Sequence, residues 1–205
     1  MRSWSYPYIV IATWNKNKLI QFRHLFGKEF SLEVKGLHDF QQVPNIIEDQ
    51  DSFEGNAVKK AQTVAEAIQE PVIADDSGLV VPALDGAPGV YSARYAGENA
   101  TDEQNNQKLI NEIRSLPEHE RKAYYVCVMA FVVPSQTAIV VRGECHGQVI
   151  EEGKGTEGFG YDPIFYIPEE KATMAELPAE RRYQISHRAE ATRKLIQLLK
   201  NEYQF

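Results

Sequence analysis

The spacing of apolar residues along the chain predicts strands and helices in alternation. Ile9 to Thr13 is an apolar run of strand length. Lys18 to Phe26 then places Leu19, Phe22, Leu25 and Phe26 on one helical face, with Gly27 suited to close the helix. The polar stretch WNKNK between them therefore falls in a strand-to-helix turn. Ser52 to Glu70 predicts a longer helix, with Phe53, Ala57, Ala61, Val64 and Ile68 on a common face. Val72 to Ala74 reads as a short strand that ends where Asp75, Asp76, Ser77 and Gly78 begin. Thr101 and Gln104 have the spacing of a capping box ahead of a helix bearing Leu109, Ile110, Ile113 and Leu116. Ala123 to Val133 and Thr137 to Arg142 are β-rich, and Pro134, Ser135 and Gln136 between them predict an antiparallel hairpin. A last helix is expected from near Ser186, with Ala189, Thr192, Leu195, Ile196 and Leu199 as its buried stripe. Interleaved strands and helices with one hairpin predict an α/β fold, a mixed β-sheet flanked by helices.

The length of 205 residues points to a single domain, of a size that admits two lobes. At 43% hydrophobic and 25% charged residues, the chain has the balance of a globular protein. Its net charge of −7 argues against broad binding to nucleic acid or to acidic membranes, while leaving room for a small polyanion in a local basic pocket. The two cysteines, Cys127 and Cys145, lack CxxC or Cys/His ligand spacing and read as buried free thiols of a reducing compartment. The early apolar run is too short for a membrane span or a signal-peptide core, so a soluble cytoplasmic protein is expected.

Five segments carry candidate chemistry. In Thr13, Asn15, Lys16, Asn17 and Lys18 a strand end, two lysines and a helix N-terminus favour an anion, although a solvated helix start would look the same. Glu48 and Asp49 precede the second helix, where its dipole alone would favour acidic residues. Asp75 and Asp76 suit a hard cation such as Mg²⁺ or a base acting on water; an Asx-turn or cap is the plainer alternative. GKGTEGFGYD combines glycines that admit close backbone approach with Phe159 and Tyr161, on either of which a base could stack. Ser186, His187 and Arg188 gather donors at a helix start, without a local carboxylate to make a nucleophile triad.

Taken together, ATWNKNK, FEGNAVKKA, ADDSGLVVPALDGAPGVYSARYAG, GTEGFGYDPIF and ISHR resemble, in order, the motifs of the inosine triphosphate pyrophosphatase family, from about Ile9 to Leu199. The resemblance implies two lobes with a central cleft, a homodimer, and Mg²⁺-dependent cleavage of ITP, dITP and XTP between the α- and β-phosphates. It implies Asp76 as the base that activates water, and Glu48 with one or both of Asp75 and Asp76 as metal ligands. The stretch Thr13, Trp14, Asn15, Lys16, Asn17, Lys18, together with Ser77, would hold the phosphates. Phe159, Gly160, Tyr161 and Asp162, with His187 and Arg188, would hold the nucleoside. Three positions depart from the family pattern: Gln21 where a glutamate is frequent, Arg182 where a lysine contacts the nucleotide, and Trp14 where a small residue is common. A related pyrophosphatase for modified pyrimidine nucleotides, dTTP or UTP is the nearest rival, opposed by FGYD and SHR. A silent nucleotide sensor is opposed by the intact Lys18, Asp75 and Asp76, and RNA binding by the charge and the lack of RRM- or KH-like motifs.

Overall fold

A computed structural model describes residues 2–27, 29–30 and 32–204. In chain order the elements are β1 (Arg2–Ser3), β2 (Tyr8–Ile11), α1 (Lys16–Gly27), β3 (Glu33–Gly36), α2 (Phe53–Ile68), β4 (Val72–Val80), α3 (Asp102–Ile113), β5 (Lys122–Val132), β6 (Ile139–Val149), β7 (Phe165–Ile167), β8 (Ala172–Thr173), α4 (Ala179–Ile185), α5 (His187–Glu202) and β9 (Tyr203–Gln204). Short 3₁₀ turns fill several connections. Seven strands form one sheet in the order β3-β2-β4-β5-β6-β7-β8, and β1 pairs in parallel with β9 in a second, two-stranded sheet. The large sheet is mixed: β2 is parallel to both β3 and β4, whereas β7 is antiparallel to β6 and β8. The turn linking β5 to β6 is too short for a parallel crossover, and the two strands are neighbours, as the hairpin pattern predicts. Ser135 in that turn adopts a positive φ of 64°.

The chain divides into two compact units. The first comprises Met1–Asp76, Cys127–Gly143 and Arg188–Phe205. Its core joins Ile9, Ile11, Phe22, Phe26, Ile73, Met129, Leu195 and Leu199. The second comprises Ser77–Val126 and Glu144–His187, around a core that includes Leu79, Leu109, Ile113, Val149, Ile164, Phe165 and Met174. The expected helical faces are buried: Leu19, Phe22 and Phe26 in α1, Ala57, Ala61 and Val64 in α2, and the whole stripe from Ala189 to Leu199 in α5. Cys127 and Cys145 are buried free thiols. Among the described residues, no helix is long and apolar enough to cross a membrane.

Two features of the sequence are resolved differently by the fold. Strand β4 does not stop at Ala74 but continues through Asp75, Asp76, Ser77 and Gly78 to Val80. Acidic residues and glycine are poor strand formers. Here tertiary ion pairs outweigh that local preference. Helix α4, with no extended apolar periodicity of its own, ends one residue before α5, separated from it by the extended Ser186 (φ −66°, ψ 155°). The capping box of α3 forms as its spacing predicts: the Gln104 N–H donates to the Thr101 hydroxyl at 3.2 Å, and the Thr101 N–H donates to the Gln104 side chain at 2.9 Å. Thr101→Ala removes one half of this exchange and is expected to lower stability by about 1 kcal/mol, read as a shift in the urea midpoint at unchanged slope.

Candidate active site

The register of the parallel strands sets the position of the site. Val10 and Ile11 of β2 lie opposite Val72 and Ile73 of β4, so Asp75 and Asp76 fall just beyond the carboxyl end of β2, where the chain turns into α1. Ligand sites of parallel α/β sheets collect at such strand ends. The turn is built by its own polar side chains. The Asn15 N–H donates to the Thr13 hydroxyl at 3.1 Å, and the Asn15 side-chain oxygen accepts the N–H groups of Asn17 and Lys18 at 2.9 and 3.1 Å, capping α1. Asn15, Lys16 and Asn17 are exposed, as is Trp14, whose ring meets His38 edge-on. Lys18, one turn into the helix, is directed at Asp75.

Asp75 is only 2% exposed. One of its oxygens accepts from the Lys18 ammonium at 3.0 Å and from the Arg188 guanidinium at 3.3 Å. Burial would raise its pKa, but Lys18, Arg188 and Lys60 together overcome this and hold the carboxyl well below the usual range. Arg188 is equally buried and donates its other terminal nitrogen to Gln21 at 2.7 Å. The buried Lys60 donates to the Asp75 carbonyl at 3.1 Å and forms a close ion pair with Glu48. Burial opposes the Lys60 charge, yet Asp75, Glu48 and Asp76 hold its pKa above the ordinary value.

Asp76, the next residue on the strand, faces a different environment, because successive strand side chains point to opposite sides. It accepts from the Asn56 amide at 2.9 Å. Burial, opposed by that hydrogen bond and reinforced by the charge of Glu48, pushes its pKa up to about 6. Asn56 is itself buried and exchanges hydrogen bonds with the backbone of Gln50, which pins the segment carrying Glu48. The first unit thus gathers three cations, Lys18, Lys60 and Arg188, with three carboxylates, Glu48, Asp75 and Asp76.

Glu48 with one or both of Asp75 and Asp76 was expected to hold a metal, and the structure makes the three carboxylates unequal. Among the described residues, no group of three or more His, Cys, Asp or Glu side chains is gathered as a ready cation site. Asp75 is already neutralised by Lys18 and Arg188. The charge of Glu48 adds to the cost of ionising Asp76, which a divalent cation would relieve, and the two side chains offer the hard oxygen donors that Mg²⁺ takes when phosphates and waters complete its shell. The donor set therefore fits such an ion through Glu48 and Asp76.

The second unit holds the glycine-rich loop. Asp162 is buried and braces it: one carboxylate oxygen accepts from the Phe159 N–H at 3.0 Å and the other from the Tyr125 hydroxyl at 3.0 Å. Gly158 has φ +78°, and a Cβ there would come within 2.0 Å of the Asp162 carboxylate, so glycine is required by both backbone and space. The N–H of Gly160 donates to Asp102 and its carbonyl accepts from Asn106. Of the two aromatic rings in the loop, only that of Phe159 is available at the surface. Tyr161 is buried and its hydroxyl donates to the Ser92 carbonyl at 2.7 Å. His187 is buried with its imidazole stacked on Tyr125. Arg182 donates to the Leu177 carbonyl at 2.6 Å and lies 3.6 Å from Glu157. Ser77 follows Asp76 on β4 and is half-buried. Sequence reasoning passed over Asn56, Lys60 and Tyr125 as individual residues. The first two lie in the FEGNAVKKA motif on the buried face of α2, where a buried asparagine and lysine are themselves a signal.

A mixed-sheet α/β protein with oppositely charged side chains concentrated at a parallel strand end defines the class. The Ham1 family model matches residues 9–198. The chain is 49% identical over 183 residues to the dITP/XTP pyrophosphatase of Shouchella clausii, covering 89% of this chain and 91% of that protein. It is 49% identical over 187 residues to the dITP/XTP pyrophosphatase of Geobacillus kaustophilus, covering 91% of each. Among solved structures, the Staphylococcus aureus Ham1 protein superposes with a TM-score of 0.86 at 42% identity, covering 95% of this chain and 99% of that one. A HAM1 protein from Coxiella burnetii gives 0.88 at 36% identity, covering 96% and 100%. The chain belongs to the Ham1 family.

The opposite environments of the adjacent aspartates predict opposite effects on stability. Without divalent cations the folded protein keeps the Asp76 proton up to about pH 6. The unfolded chain releases it near the ordinary carboxylate value of about 4. Folding takes up a proton between these values, so stability declines as pH rises through the window, by on the order of 2–3 kcal/mol for this residue. Asp76→Asn should flatten that decline and raise the urea midpoint at pH 7. Asp75→Ala strands the buried Arg188 and should cost about 3–5 kcal/mol. Equal effects of the two substitutions would contradict this division of roles.

Proposed function

We propose that this chain is a Mg²⁺-dependent nucleoside triphosphate pyrophosphatase that hydrolyses ITP, dITP and XTP to the nucleoside monophosphate and pyrophosphate. It would thereby remove deaminated purines from the nucleotide pool, as a homodimer in the cytoplasm. The observation that carries this reading is the pairing of a carboxylate raised to about 6, Asp76, with a neighbour held ionised by Lys18 and Arg188. The similar proteins of Shouchella clausii and Geobacillus kaustophilus are dITP/XTP pyrophosphatases, in agreement with it.

A general base works best with a pKa near the working pH. Asp76 takes the proton of a water that attacks the α-phosphorus, the α–β anhydride bond breaks, and pyrophosphate leaves. Asn56 holds the carboxylate oxygen that is not receiving this proton. When bound, Mg²⁺ would be held by Glu48 and Asp76 and would supply charge neutralisation for the phosphates and the leaving group. Lys18 and Lys60 offset phosphate charge, while Asp75 keeps Lys18 and Arg188 ordered before substrate arrives. The exposed turn Trp14, Asn15, Lys16 and Asn17 and the hydroxyls of Thr13 and Ser77 complete the phosphate end of this reading.

Base recognition falls first on His187 and Phe159. Hypoxanthine and xanthine present an acceptor at position six where adenine presents a donor, so a histidine N–H discriminates between them. Arg188 donates one N–H of each terminal nitrogen to Gln21 and Asp75, which fixes the orientation of its guanidinium.

Incubation with ITP and Mg²⁺ should release pyrophosphate with no nucleoside diphosphate, assayed without added inorganic pyrophosphatase. Accumulation of IDP would refute the cleavage site. Asp76→Asn should lower kcat by roughly 10²–10⁴-fold. A residual rate within about twofold of wild type would remove Asp76 as the base.

Two further substitutions separate the ends of the substrate. Lys18→Ala should weaken ITP, XTP and ATP by a similar factor. His187→Ala should lower kcat/KM for ITP and XTP more than for ATP, by about tenfold or more. A change of base preference in the Lys18 variant, with none in the His187 variant, would reverse the assignments.

A further inference from the structure

Tyr125 is a residue of β5 with no role in the reading above, yet it connects two of its parts. It is 7% exposed. Its ring lies flat on the His187 imidazole, with centroids 4.7 Å apart and planes 11° from parallel. The edge of Phe165, 4.7 Å away at 61°, closes on the same ring and limits its tilt. Its hydroxyl donates to Asp162, whose other oxygen holds the Phe159 N–H. Burial and the Asp162 charge push the phenol pKa well above its ordinary value, so the hydroxyl remains a donor at working pH.

A hydrogen bond loses strength steeply once its donor angle departs from linearity, and an imidazole turns about two side-chain torsions. A histidine that tells a carbonyl from an amino group must therefore be held in plane. Flat contact with a ring that is wedged by Phe165 and tethered to Asp162 supplies that constraint. The same tether ties the His187 platform to the loop that presents Phe159.

We propose that Tyr125 is a positioning residue for base discrimination: its ring sets the plane of the His187 imidazole. The proposal rests on the reading that His187 contacts the base, and the experiment tests the two separately.

The full chain is assayed with Mg²⁺ against ITP and ATP, as wild type, Tyr125→Phe, Tyr125→Met and His187→Ala. Tyr125→Met should lower the ITP-to-ATP ratio of kcat/KM about tenfold, mostly through the KM for ITP. Tyr125→Phe, which keeps the stacked ring, should restore the ratio to within about threefold of wild type. An unchanged ratio in Tyr125→Met, or a loss in Tyr125→Phe as large as in Tyr125→Met, would overturn the proposal. An unchanged ratio in His187→Ala would instead overturn the base-reading role of His187, and the proposal with it. Proton NMR of the wild-type chain gives a measurement independent of folding in the variants. The His187 ring signals, assigned by through-bond correlation in the wild type, should lie upfield of the ordinary histidine range through the Tyr125 ring current. Signals at ordinary shifts would overturn the stacked arrangement.

Discussion

The buried carboxylate of Asp75 is the constraint on which the first unit's site depends. It collects Lys18 from α1 and Arg188 from the first turn of α5, while its carbonyl receives Lys60 from α2. Three helices are thereby brought to one point of one strand by charge. An ionised carboxylate with 2% exposure is tolerable only in such company. The same ion pairs explain why β4 runs on through residues that disfavour strands: turning the chain at Ala74 would leave Asp75, Lys18 and Arg188 to be desolvated without one another.

The consequence for Asp76 follows from strand geometry. One step along β4 reverses the direction of the side chain, so Lys18 and Arg188 pair directly with Asp75, while at Asp76 burial outweighs the pull of Lys60 and Lys18. It accepts from a neutral amide, and the charge of Glu48 adds to the effect of burial. Two identical residues, adjacent in sequence, are divided by the pleat of the strand into one carboxyl held well below the usual range and one pushed up to about 6. Environments that push paired carboxylates apart in pKa are how acid–base roles are assigned in hydrolytic sites generally. Gln21 fits this division. As a neutral acceptor for Arg188 it leaves the guanidinium charge to Asp75, whereas an acidic residue there would compete for it.

Much of the fold was legible because its helices are amphipathic and its caps are local. The α2 and α5 faces, the α3 capping box and the β5–β6 hairpin all follow from residues within a few positions of each other. The extent of β4 was not legible, since the pairs that sustain it join residues 57 and 113 positions apart. The same limit applies to the site. That Asp75 and Asp76 are candidates for chemistry could be read from two carboxylates beside an apolar run, but which one keeps its proton depends on Lys18, Arg188, Asn56 and Glu48. Asn56 and Lys60 looked like the polar flank of a helix, and only burial distinguishes them from it.

The glycine-rich loop shows the same separation of visible motif from physical role. FGYD places two rings and a carboxylate in consecutive positions, and any of them could contact a ligand. Their partners sort them. Tyr161 spends its hydroxyl on the Ser92 carbonyl, and Asp162 spends its oxygens on Tyr125 and on the Phe159 backbone. Both are thereby fixed as scaffold, and Gly158, with no Cβ, gives the carboxylate its space. Phe159 is what this bracing presents, a ring on a loop whose backbone is held from beneath. Tyr125 then matters for the same reason as Asp75 in the other unit. Each is a buried group that touches several functional segments at once, and each converts side chains from distant parts of the sequence into one arrangement with fixed angles.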